Sequence, residues 1–169
     1  MQQTLIILKP DALMRGIAGE VITRFEKAGF KIVGAKMLQP DYDHFHGHYE
    51  VIGTLKTRKG EEIFESTLSA MQDGPVVAFV LEGVEAVATV RKMVGATEPR
   101  EALPGTIRGD YAHVTYGQAA SVGKGVANII HASATTEEAE KEIQYWFSDS
   151  ELFNYQTVHE RFTQPKPKK

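Results

Sequence analysis

The chain has 169 residues, a formal net charge of −3 and no cysteine. That length suits one domain with a core large enough to fold unaided, and the missing cysteine excludes disulfides, zinc-thiolate centres and thiol catalysis. The charge gives no bulk argument for nucleic acid, no apolar run approaches the roughly 20 residues of a membrane helix, and Met1-Gln2-Gln3-Thr4 lacks the marks of a secretory signal, so the expected setting is cytoplasmic.

Thr4-Leu5-Ile6-Ile7-Leu8 is a continuous apolar run, the mark of a buried central strand. Pro10 stops it, and Asp11 suits the N-cap of the next element. Lys9, at the end of a buried strand and facing a helix start, is placed to meet an anion; the plain alternative is a surface lysine. Ala12 to Ala28 reads as one amphipathic helix, with Leu13, Ile17, Val21 and Phe25 at helical spacing and Gly29 as its stop. Phe30 to Leu38 follows as a strand. Asp41 to Glu50 reads as a short polar helix carrying His44, His46 and His48. On a helix those three rings point in different directions and cannot share one ion, so no metal site is predicted there. Tyr49 offers a hydroxyl on an apolar body. Gly53 to Gly60 reads as a polar loop, Glu61 to Met71 as a second amphipathic helix and Val76 to Leu81 as another buried strand. Val84 to Val94 reads as a third helix, ended by Gly95, with Arg91 one turn before its end.

Ala96 to Asp110 is long and rich in proline and glycine, which predicts an irregular, functional loop. Gly109 should leave room for Arg108 to approach a ligand. Tyr111 to Tyr116 reads as extended. Gly117 to Ala127 looks like a phosphate loop, but five residues rather than four separate Gly117 from Gly123, and Gly125 stands where Ser or Thr would hold magnesium. It reads as a flexible excursion.

Asn128-Ile129-Ile130-His131-Ala132-Ser133 ends an apolar run in a histidine, just before a helix. The imidazole is aimed between a strand end and a helix N-terminus, where anions are favoured. Taken alone, it is as well explained as an ordinary packed residue. Thr135 and Glu138 have capping-box spacing. Ala139, Ile143, Trp146 and Phe147 make the helix's buried face, and Glu142 on the neighbouring face can reach back to His131. Thr163 to Lys169 is basic and proline-rich and reads as a disordered tail, leaving residues 1–162 as a single domain. The alternation of strand and helix predicts an α/β (α+β sandwich) fold of the ferredoxin-like type, a small antiparallel sheet of about four strands covered by helices on one face. A doubly wound sheet is the alternative.

Six stretches then point one way. Leu8-Lys9-Pro10-Asp11, Gly74-Pro75-Val76-Val77, Gly95-Ala96-Thr97-Glu98-Pro99, Gly105 to Asp110, Asn128 to Ser133 and Glu140 to Phe147 occur in the order found in nucleoside diphosphate kinase, which the chain resembles from about Thr4 to Phe153. The resemblance implies transfer of the γ-phosphate of a nucleoside triphosphate, typically ATP, to a nucleoside diphosphate. It implies a ping-pong reaction through a phosphohistidine at His131, with Mg²⁺ bound through the nucleotide phosphates. By the same resemblance Lys9 contacts the terminal phosphate and ribose, and Arg91 and Arg108 clamp phosphates. Thr97 donates a hydroxyl to a phosphate and Asn128 bonds the ribose 3′-hydroxyl. Tyr49 lies beside His131, and Glu142 orients its ring. The position for an aromatic ring over the base falls on or near Ile63, with Phe64 next to it. The loop at 53–60 is longer than usual, residues 117–127 are an insertion, and Ala134 stands where the family commonly has an acidic residue. A homo-hexamer is implied, or a tetramer, with no membrane and no nucleic acid required. Two other readings compete: a nucleotide-holding module without turnover, and a hydrolase using Ser133 with His131 as base.

Overall fold

A computed structural model of the chain describes residues 1–165. In chain order the strands are β1 (Gln2–Leu8), β2 (Lys31–Leu38), β3 (Val76–Gly83) and β4 (Ile130–Ala132). Between β1 and β2 run α1 (Pro10–Met14) and α2 (Ala18–Lys27). Between β2 and β3 lie α3 (Tyr42–His46), which continues as a π-helical turn over Gly47–Ile52, then α4 (Leu55–Lys59) and α5 (Glu61–Gln72). After β3 come α6 (Ala86–Val94), α7 (Ile107–Tyr111) and α8 (Tyr116–Ser121). The last helices are α9 (Thr136–Trp146) and α10 (Glu160–Thr163).

The four strands form one sheet in the order β2-β3-β1-β4, and every neighbouring pair is antiparallel. Side chains alternate across a strand. In β1 that sends Leu5 and Ile7 into one core and Ile6 and Leu8 into another. The first core is completed by Phe45 of α3, Phe64 and Leu68 of α5 and Trp146 of α9; the second by Phe25 of α2, Val90 of α6 and Ile107 of α7. Helices therefore cover both faces of the sheet, where the pattern alone had suggested one.

Several expected elements are subdivided. The helix over 12–28 is broken between α1 and α2 by Gly16 at a φ of +66°, a conformation that glycine adopts without penalty. Asp11 is not an N-cap: Lys9 holds that position, and Pro10 takes the first helical place, where its missing N–H costs nothing. The polar loop at 53–60 contains α4, the loop at 96–110 contains a 3-10 turn at Pro99–Glu101 and the start of α7, and the excursion at 117–127 begins as α8. Residues 112–115 pair with no strand among the described residues. The expected tail at 163–169 begins at the last residue of α10; residues 166–169 lie outside the described residues.

Topology places the chemistry. β4 pairs His131 with Ile7, so both point to the same face, the one covered by α3, α5 and α9. Lys9 follows directly from the end of β1 and donates its backbone N–H to the Ile129 carbonyl at 2.8 Å. Leu68 sits fully buried beneath this face. Leu68→Ala should cost about 2–5 kcal/mol through the cavity it leaves, read as a lower urea midpoint with an unchanged denaturant slope.

Candidate active site

The approach to β4 is strained. Ile129 has a φ of +73°, and the Ile130 N–H donates to the Asn128 carbonyl at 2.8 Å across it. That is a tight three-residue turn of the rare kind, with a β-branched residue at its centre. Such a conformation costs of order 1–3 kcal/mol and persists only where its surroundings hold it. Here Asp11 accepts the Ile129 N–H at 3.0 Å, and Lys9 holds the carbonyl. The turn separates the directions of Asn128 and His131, so that both line one cavity of about 870 Å³.

The His131 ring is fixed from behind. Its Nε2 lies 2.8 Å from Glu142 Oε1, and the other carboxylate oxygen accepts from Ser133 Oγ at 2.6 Å. Ser133 Oγ also accepts the Leu5 N–H at 3.2 Å. Glu142 is fully buried, and burial raises its pKa while His48 and the Ser133 hydroxyl oppose the shift. An ionised carboxylate can only accept, so an imidazole bonded to it through Nε2 carries its proton there and keeps its lone pair on Nδ1. Burial pushes the imidazole down to about 3; Glu138 opposes this, while Lys9, Arg108 and Arg91 add to it. The ring is neutral at pH 7 and able to act as a nucleophile.

Three cations face it. Arg108 is 4% exposed and donates to three carbonyls: Asn128 at 3.1 Å, Gly95 at 3.0 Å and Ile130 at 2.5 Å. Of the five N–H groups of a guanidinium, two remain for a ligand. Burial and then Arg91 lower its pKa to about 10, which leaves it charged. Gly109 serves a different end from the one expected, because a Cβ there would stand 2.1 Å from the Leu103 carbonyl oxygen. It lets the loop close on itself rather than opening Arg108 to a ligand. Arg91 donates to the Ala132 carbonyl at 3.2 Å. Lys9 is lowered to about 8, by burial first and Arg108 second.

The remaining expected residues line the same cavity. Asn128 donates to the Thr97 carbonyl at 2.9 Å, which leaves its buried Oδ1 without a partner. The Tyr49 hydroxyl is likewise buried and unpartnered, and burial raises its pKa. Ile63 faces in from α5, whereas Phe64 is 1% exposed and belongs to the core, where it meets His46 edge-on.

Sequence reasoning missed His48. It accepts the Trp146 indole N–H at 3.1 Å on Nδ1, and its ring packs edge-on against His131 with centroids 4.5 Å apart. Burial and then His131 push it down to about 3, so its 3.5 Å approach to Glu142 is a contact and not an ion pair. Ligand atoms of His48, His131 and Glu142 lie within 4.8 Å of one another, but the His131–Glu142 hydrogen bond already uses two of them. The one available signal was the need of a buried indole for a partner. Arg58 of α4 and Glu138, one turn before Glu142, also line the cavity.

The chain is similar to known proteins along nearly its whole length. The family model described as nucleoside diphosphate kinase matches residues 2–152. The nucleoside diphosphate kinase of Borreliella burgdorferi is 43% identical over 155 residues, 92% of each chain. That of Pyrococcus furiosus is 45% identical over 155 residues, 92% of this chain and 88% of the other. A solved transition-state mimic of the Borrelia burgdorferi enzyme, with bound vanadate and ADP, superposes with a TM-score of 0.90 at 43% identity and 94% coverage of both chains. A Halobacterium salinarum enzyme in complex with CDP gives 0.81 at 34% identity, covering 97% of this chain and 99% of that one.

Asp11→Ala removes the acceptor for the strained turn. The variant should lose about 1–3 kcal/mol of stability in urea unfolding, and its phosphoryl-acceptor activity should fall more than its nucleotide affinity, because the His131 ring is set by that turn.

Proposed function

The chain belongs to the nucleoside diphosphate kinase family, and we propose that Nδ1 of His131 is the atom that carries the phosphoryl group. The activity is transfer of the terminal phosphoryl group of a nucleoside triphosphate to a nucleoside diphosphate. The observation that supports the proposal is the 2.8 Å approach of His131 Nε2 to a buried carboxylate, an acceptor that favours the proton on Nε2 and the lone pair on Nδ1. In the first half-reaction the Nδ1 lone pair attacks the γ-phosphorus, the bond to the β-phosphate oxygen breaks, and the diphosphate leaves. In the second, a terminal oxygen of another diphosphate attacks the phosphohistidine, and the imidazole leaves with its lone pair. One site serves donor and acceptor in turn, so ping-pong kinetics follow.

Charge on the moving group spreads over its oxygens, and the protein's share is positioning and electrostatics. Lys9, Arg91 and the two spare N–H groups of Arg108 suit that task. The unpartnered Asn128 Oδ1 suits a ribose hydroxyl donor, and Tyr49 Oη and the Thr97 hydroxyl suit phosphate oxygens. Ile63 offers the base an apolar face. Mg²⁺ fits as a cation carried on the nucleotide phosphates, since it prefers oxygen ligands and the compact cluster here is mostly imidazole nitrogen. Bound there, it offsets phosphate charge. We also propose a homo-oligomer, a hexamer or a tetramer as the family resemblance implies; exposed Met37, Phe153 and Tyr155 around the edge strand β2 support it. No helix among the described residues is long and apolar enough to cross a membrane. Ser133 is fully buried and bonded to Glu142, which argues against a serine hydrolase.

Incubation with γ-labelled ATP and no acceptor should give an acid-labile, base-stable label that His131→Ala abolishes. Absence of label on the unaltered protein would overturn the proposal and favour a binding module. The pH profile supplies a separate check. Lys9 is charged below about 8 and loses its proton above it, so kcat/KM for the triphosphate should fall as pH rises through that value. Lys9→Arg should move that limb upward, because a guanidinium keeps its charge.

A further inference from the structure

Glu138 has no part in the chemistry described so far, yet it stands in the cavity with His131. Its spacing from Thr135 suits a capping box, and only half of one forms. Thr135 Oγ1 accepts the Glu138 N–H at 3.1 Å, but the Glu138 side chain does not bond back to the Thr135 N–H. The half-buried carboxylate lines the cavity instead. It lies one turn before Glu142, and residues at that spacing are neighbours on one helix face. Ala134, on the same wall, brings no charge.

Charge in the cavity is divided about the His131 ring. Lys9 at the end of β1, Arg108 of α7 and Arg91 of α6 disfavour a positive imidazole, whereas Glu138 favours one. Glu142 holds Nε2 at 2.8 Å, and His48 on the π-helical turn is pushed down to about 3, so it is neutral. Burial and then the Glu142 carboxylate hold Glu138 above its ordinary value, and His131, the Ala134 N–H and Arg58 of α4 oppose that shift.

The reaction makes a charge that this arrangement must meet. As Nδ1 bonds to phosphorus, the bond from phosphorus to the β-phosphate oxygen breaks, and the diphosphate leaves with that electron pair. The ring keeps its Nε2 proton, so it becomes positive and no proton moves. Burial opposes that charge as it opposes protonation, and the cations that suit the phosphates oppose it too.

We infer that Glu138 is a positioning residue for the transfer, whose carboxylate joins that of Glu142 in offsetting the positive charge that the His131 ring acquires on phosphorylation. This rests on the phosphohistidine proposed above. The same carboxylate repels the phosphates of a bound nucleotide, so its contribution falls in the transfer step and not in affinity. Glu138 and Glu142 titrate as a pair. The ionised form of Glu138 is the useful one, so transfer is lost as pH falls through the upper step of that pair.

Rapid mixing with γ-labelled ATP, stopped in base, gives the rate of label transfer across pH, and calorimetry gives ADP affinity. Glu138→Gln should lower the plateau rate by about tenfold, move the acid limb to lower pH, and leave ADP affinity equal or tighter. Glu138→Asp, which keeps the charge on a shorter arm, should recover part of the rate and part of the acid limb. An unchanged plateau rate in Glu138→Gln would overturn the inference. So would an acid limb that stays in place, or a loss of rate matched by an equal loss of ADP affinity, since a purely structural role gives those results. Label that forms on the unaltered protein and on Glu138→Gln with one and the same pH profile sinks the inference alone. An unaltered protein that takes no label at any pH sinks the phosphohistidine, and this inference with it.

Discussion

A carboxylate in a protein interior is stable only when its oxygens are matched by donors, and the burial of Glu142 sets the terms for everything around it. One oxygen takes the Ser133 hydroxyl, which in turn is pinned to the backbone of β1. The other takes the imidazole of His131. Helix α9, strand β4 and strand β1 are thereby tied at one point, and the orientation of the His131 ring is a by-product of satisfying that charge. The same burial that makes the pair expensive keeps the imidazole neutral at pH 7.

Holding three cations beside a neutral ring carries its own difficulty, since Arg108 and Lys9 oppose each other as well as solvent exclusion. The backbone resolves it. Arg108 gives three of its donors to carbonyls at Gly95, Asn128 and Ile130, so its charge is met by dipoles whether or not phosphate is present. Two of those carbonyls flank Ile129, the residue at positive φ. The strained turn therefore aims Asn128 and His131 into the cavity and also presents oxygens to the guanidinium. Strain, charge and catalytic direction meet in four consecutive residues.

Those four residues are legible in the sequence only in part: taken alone the run ending in His131 suits a packed residue, and the ordered set of motifs around it gives it a role. A buried run ending in a polar residue marks a strand end, and groups at strand ends and helix starts reach a ligand however the helices pack. Lys9 and His131 are of that kind, whereas Arg91, in the last turn of α6, and Asn128 stand out only through the family resemblance; the antiparallel sheet of four strands follows from the same apolar runs. What the sequence hid depends on tertiary contact. α1, α4 and α7 have five residues each, too short to hold as isolated helices, so no periodicity announces them. His48 comes within reach of His131 through a π-helical turn that no spacing rule foretells. Gly109 reads as room for Arg108 to approach a ligand and Gly125 as part of a flexible excursion, and both serve instead as places where backbone meets backbone.

The same accounting links stability to substrate. Among the described residues five buried side-chain polar atoms lack a partner, and three belong to residues lining the cavity: His48 Nε2, Tyr49 Oη and Asn128 Oδ1. An unsatisfied buried group costs about 1–3 kcal/mol, so a ligand in this cavity that supplies a partner to one of these atoms gains by it. A ribose hydroxyl that donates to Asn128, or a phosphate oxygen that accepts from Tyr49, removes part of that cost as well as adding a contact. A ligand offering phosphates alone leaves the Asn128 acceptor unmet, and one offering a base alone leaves the cations facing each other. A molecule carrying ribose and phosphates together meets both, which ties the polar lining of the cavity to the nucleotide chemistry proposed for it.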